Sequence, residues 1–187
     1  MKKTVISLLL ATHLFAVSVY ALPAQVLIIR HGEKGIEGNL SEKGLERAGA
    51  LAPYFTKKPE LLTFGEPVAI FAARPVRATP PFHPDENTER CLQTVGPTAE
   101  MLKLPIHPGF GKFDEQELAN FILSNSKYDG KNVLICWHHD VIQQLAIDLG
   151  AMAAPVFPDV FDQTWVITYP GASLVILQQE LLFGDTP

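Results

Sequence analysis

The chain is short of cysteine, of basic charge and of long apolar runs, and each shortage excludes something. Among 187 residues there are only two cysteines, Cys91 and Cys136. That rules out a disulfide-dense scaffold, though one bridge is permitted in an oxidising compartment. Fifteen basic side chains against 20 acidic ones leave a formal charge of −5. A net acidic surface speaks against nucleic acid or an anionic membrane as the main partner. No internal repeat, low-complexity tract or linker divides the chain, and past its first residues no stretch is long and apolar enough to cross a bilayer.

The first residues are the exception. MKKTVISLLLATHLFAVSVYA presents two lysines, an apolar stretch, then Val19 and Ala21 at the spacing of a cleavage site. This order reads as a secretory signal over residues 1–21, cut after Ala21. Thr12 and His13 interrupt the apolar stretch, which favours cleavage over a retained anchor. Loss of Lys2 and Lys3 takes the formal charge to −7. Residues 22–187 then form one exported domain, periplasmic in a Gram-negative host and with no stable membrane insertion.

The segment QVLIIRHGE is the most informative one. Val26 to Ile29 is a continuous apolar run, the mark of a buried strand. It delivers Arg30 and His31 at its carboxyl end, where open α/β sheets bind ligands, and Gly32 permits close backbone approach. A cation and an imidazole there make a seat for a phosphate. Ser41 then caps a predicted helix with Leu45, Ala48, Ala52 and Phe55 on one face, kinked at Pro53. Residues 67–73 predict a second strand, and residues 74–87, with five prolines, an irregular loop. Asn87 predicts the cap of a helix that shows Leu92, Val95, Ala99 and Leu102 on one face. A helix is predicted over 114–123, a strand over 132–137, a helix over 141–149, and strands over 164–169 and 173–179 about Pro170–Gly171. The alternation predicts a three-layer α/β/α sandwich with a mostly parallel sheet.

Two of these strands end in histidine, at His31 and at His138–His139, and one helix begins at Arg90. Parallel strands place their carboxyl ends along one edge, so two arginines and two imidazoles can converge on phosphate oxygens. A neutral imidazole among them is a competent nucleophile.

These phrases resemble the histidine phosphatase superfamily, also called the phosphoglycerate mutase-like fold, over nearly the whole mature chain. Arg30-His31-Gly32 matches its opening RHG. Leu40-Ser41 through Gly44 and Ala48 matches its L-[ST]-x-x-G-x-x-x-A phrase, Arg90 and Thr94 its R-x-x-x-T, and NVLICWHH its second histidine strand. The resemblance implies hydrolysis of a small phosphorylated substrate through a phosphoryl group carried on His31. Arg30, Arg90 and the second histidine would hold the phosphoryl oxygens, with no metal or other cofactor. An ungapped alignment gives His138 as that second histidine. A W-x-H-x-x-I phrase containing Trp137 gives His139, which is the preferred reading, with the other ring lining the same pocket. For the general acid, Glu115 or Glu117 matches one group of relatives and Asp140 another, and a leaving group that needs no acid is a third option. Glu115 also reads as ordinary helix-start charge and Asp140 as a helix cap. Arg74 and Arg77 read as solvated loop residues, His83 and His107 as surface residues, Phe110 and Phe113 as core or pocket wall, and Lys34 as added charge beside the phosphate or simply exposed. The competing class is a non-catalytic phosphate-binding module of the same fold. A mutase is disfavoured, because export separates the chain from glycolytic intermediates.

Overall fold

A computed structural model describes residues 22–75 and 89–186. Six strands make one sheet in the order β3-β2-β4-β1-β5-β6. They are β1 (Gln25–Arg30), β2 (Pro67–Ala72), β3 (Ile106–His107), β4 (Asn132–Trp137), β5 (Gln163–Thr168) and β6 (Ser173–Gln178). β1 lies between parallel β4 and antiparallel β5. Its four apolar side chains, Val26 to Ile29, are wholly buried. Each stabilises the fold by about 1.5–3 kcal/mol, which is why the run needs no polar alternation.

The helices are α1 (Glu42–Lys57), α2 (Arg90–Leu102), α3 (Glu115–Ser124) and α4 (His139–Asp148). From β1 through α1 to β2, and through α2 to β3, the chain steps in one direction across the sheet. From β3 through α3 to β4 it steps back. Right-handed crossovers therefore set α1 and α2 on one face and α3 on the other. α1 packs on α2, and α3 packs on α4. The result is the expected three-layer sandwich, with four parallel strands and an antiparallel β5–β6 hairpin at one end.

Several local expectations shift. Ser41 does cap α1, its hydroxyl accepting from the Gly44 N–H at 3.1 Å. The buried face, however, runs through Gly44, Arg47, Ala48, Leu51, Ala52 and Phe55, while Leu45 is 55% exposed. An ion pair draws Arg47 inward and rotates the helix away from the purely apolar choice. α2 begins after Glu89, which makes no side-chain cap. Asn87, Arg77, His83 and most of the proline-rich loop lie outside the described residues, as does the expected leader. His107 is half-buried in β3 rather than on a loop surface, its ring 5.2 Å from that of Phe71. A two-residue strand leaves too little pattern to read in advance.

Candidate active site

The register of β1 on β4 creates the site. Arg30 pairs with Trp137, and the His31 N–H donates to the Trp137 carbonyl at 3.2 Å. The residues that follow, His31 and His138, therefore leave the sheet edge side by side. Their rings meet edge to face with centroids 5.6 Å apart, and both residues are buried. Arg90, which heads α2, is 6% exposed, and its charge lowers the pKa of both rings.

Gly32 and Gly44 let this edge close. A Cβ on Gly44 would meet the Glu33 carbonyl oxygen at 2.5 Å, and one on Gly32 would meet that of Gly44 at 3.0 Å. The first turn of α1 can thus lie directly against the loop that carries His31. Thr94 completes the support. Its hydroxyl donates to the Arg90 carbonyl at 2.7 Å and accepts the Gly32 N–H at 2.8 Å. The R-x-x-x-T spacing is one helical turn, so the threonine fastens the arginine's turn to the His31 loop.

His31 Nδ1 lies 2.8 Å from the Gly32 carbonyl oxygen. A carbonyl only accepts, so Nδ1 carries the proton and Nε2 keeps its lone pair. Burial pushes the His31 pKa down to about 3 and that of His138 to about 4. The neighbouring cations add to both shifts. Both imidazoles are therefore neutral from mildly acidic pH upward.

The pairing differs from the preferred expectation that the second ring is His139. β4 ends at Trp137, and His138 continues it in extended conformation (φ −89°, ψ 132°) as the cap of α4. That carries His138 toward His31. His139, already in the helix, is half-buried among the charges of Arg30, Asp140, Lys34 and Asp159. It stands at the rim. Trp137 also has its own task, donating from Nε1 to the Lys112 carbonyl at 3.0 Å.

Among the proposed acids, Asp140 is hydrogen-bonded to Lys112 Nζ, which holds its carboxyl below the usual range. An acid kept ionised is a poor proton donor at neutral pH. Glu115 is half-buried in the first turn of α3, with Oε2 buried and without a hydrogen bond, while Glu117 is exposed. Arg74 is exposed and bound to the Gly109 carbonyl and to Asp114. Phe113 is exposed, and Phe110 packs on the core.

Sequence reasoning missed the clamp on Arg30. Arg30 Nη1 donates to Asp159 Oδ1 at 2.7 Å and to the Val160 carbonyl at 3.0 Å, and its Cζ lies 3.9 Å from the centre of the Phe161 ring. The segment from Asp159 to Phe161 has no periodicity, so only its position opposite β1 reveals it. The glutamate of RHGEK likewise turns away from the seat: Glu33 binds Arg47, which also binds Asp185.

No family model matches the chain, and no curated protein matches it in sequence. Among solved structures, the candidate phosphohistidine phosphatase SixA from Agrobacterium tumefaciens is similar, with a TM-score of 0.53 at 15% identity, covering 83% of this chain and 99% of that one. Phosphoglycerate mutase from Bacillus anthracis str. Sterne gives 0.49 at 13% identity, over 85% and 93%, a likeness too loose to carry an argument. At such identity the likeness is one of fold, and the fold of this chain is the phosphoglycerate mutase-like α/β sandwich of the histidine phosphatase superfamily.

Proposed function

We propose that this chain is an exported, metal-independent phosphomonoester hydrolase that works through a phosphohistidine on His31. The observation that carries this reading is the meeting of His31, His138, Arg30 and Arg90 at one sheet edge, with the His31 tautomer fixed. His31 Nε2 attacks phosphorus, the P–O bond to the leaving group breaks, and the ester oxygen departs with the bonding pair. Water then attacks the phosphoryl group and returns Nε2 to its neutral state. Arg30, Arg90 and His138 stabilise the charge on the oxygens in transfer, while Thr94 and Gly32 keep the parts in register. Among the described residues no group of three or more His, Cys, Asp or Glu side chains gathers as a metal site. The leader-like composition of residues 1–21 supports export.

The direct test is brief mixing of the mature protein with p-nitrophenyl phosphate, an alkaline quench and peptide mass spectrometry. A phosphoryl group on the His31 peptide and p-nitrophenol release that survives chelator are expected. Phosphate binding without either would make the protein a binding module.

Asp159 bears on affinity. Its exposed carboxylate sits on Arg30 where a phosphoryl oxygen would bind, so an incoming dianion must displace it. An exposed ion pair is worth little, so Asp159→Asn should tighten inorganic phosphate by only about two- to fivefold, read by calorimetry. Weaker binding would instead make Asp159 a positioning residue for Arg30.

A further inference from the structure

Two thiols lie beneath the site that the mechanism does not use. Cys91 follows Arg90 in the first turn of α2, and Cys136 stands two residues before His138 near the end of β4. Both are fully buried and unbridged here. α2 packs across β4 and brings the two side chains into hydrogen-bond contact, with Thr94 as the other partner of Cys136. Thr94 is the residue whose hydroxyl joins the Arg90 carbonyl to the Gly32 N–H. The sulfur pair therefore abuts the hydrogen bonds that fasten Arg90's turn to the His31 loop.

We propose that Cys91 and Cys136 form a disulfide that locks the first turn of α2 onto β4. Sulfurs already in contact need only side-chain rotation and a short approach to reach bonding distance. Two thiols give up two protons and two electrons, and a sulfur–sulfur bond forms. The acceptor is a disulfide oxidant such as oxidised glutathione, which leaves as two thiols. Burial raises the Cys136 thiol pKa, so thiolate is scarce once the core has closed. Oxidation accordingly takes place during folding, and the finished bond is sheltered from reductant. An exported chain folds in a compartment that supplies such oxidants.

The test uses the mature chain, reduced and denatured, then refolded in a glutathione redox buffer. Alkylation under denaturing conditions followed by mass spectrometry should find no free thiol before reduction and two after it. The bond closes a loop of about 46 residues, so its reduction should lower the thermal midpoint by about 5–10 °C. Cys91→Ala and Cys136→Ala should each remove that redox-dependent shift. Two alkylatable thiols after oxidative refolding would overturn the proposal, and this readout needs only the wild-type chain. The effect on the site rests on the phosphatase reading: inorganic phosphate should bind about twofold or more weakly to the reduced form. Absence of phosphate binding in both redox states would defeat that reading and leave the disulfide standing.

Discussion

Replacing His31 by alanine should cut p-nitrophenyl phosphate turnover by roughly 10³-fold or more and leave inorganic phosphate binding within a few-fold. The asymmetry follows from the placement of the groups. Arg30 and Arg90 supply formal charge to an anion, whereas His31, held neutral with its pKa near 3, adds little to ground-state attraction. Its contribution is a lone pair on Nε2 aimed away from the Gly32 carbonyl. Alanine removes the only atom to which a phosphoryl group can transfer in this scheme, so no covalent intermediate should be trapped. Arg90→Ala should show the reverse balance, with loss of both phosphate affinity and rate. If His31→Ala and wild type release p-nitrophenol at the same rate, His31 is not the nucleophile. If phosphate binding disappears together with turnover, the imidazole was holding the pocket open.

How far the sequence could be read depended on the range of the interactions. β1 and β4 were legible because a strand buried on both faces must be apolar along its length, and both proved fully buried. The edge that joins Arg30, His31 and His138 followed from parallel pairing alone. The choice between His138 and His139 was not legible, because it turns on where β4 stops. The helix was expected from 141 but begins at His139, and those two residues decide which ring faces His31. The Asp159–Phe161 clamp was invisible for another reason. It joins residues about 130 positions apart through one carboxylate, one carbonyl and one ring, none of which leaves a periodic trace. Leu45 was misplaced because hydrophobic spacing cannot foresee that Arg47, one residue before Ala48, will be 1% exposed.

That buried arginine supports the second large effect: Arg47→Met should lower the free energy of unfolding by about 3–5 kcal/mol in urea titration. Arg47 Nη2 lies 2.7 Å from Glu33 Oε1 and 2.6 Å from Asp185 Oδ1, and Nη1 lies 3.0 Å from Asp185 Oδ2. Methionine fills most of the space but strands two carboxylates, and the Asp185 side chain is only 4% exposed. The cost therefore comes from charge without a partner rather than from a void. Adding Glu33→Gln and Asp185→Asn to Arg47→Met should recover much of the loss, which a cavity would not permit. Arg47 holds the Asp185 pKa down to about 2 from the ordinary 3.8. A carboxylate with a depressed folded pKa stabilises the fold above its unfolded value and loses that contribution as pH falls. The gap between wild type and Arg47→Met should therefore narrow between about pH 4 and pH 2. Asp185 also accepts the N–H groups of Leu181 and Leu182, and Thr186 donates its own N–H to Asp162, directly after Phe161. Loosening this corner should speed hydrogen exchange over 181–186 first and reach the Arg30 clamp through Asp162. An Arg47→Met protein with wild-type stability would mean that Glu33 and Asp185 find water or other cations as readily as they find Arg47.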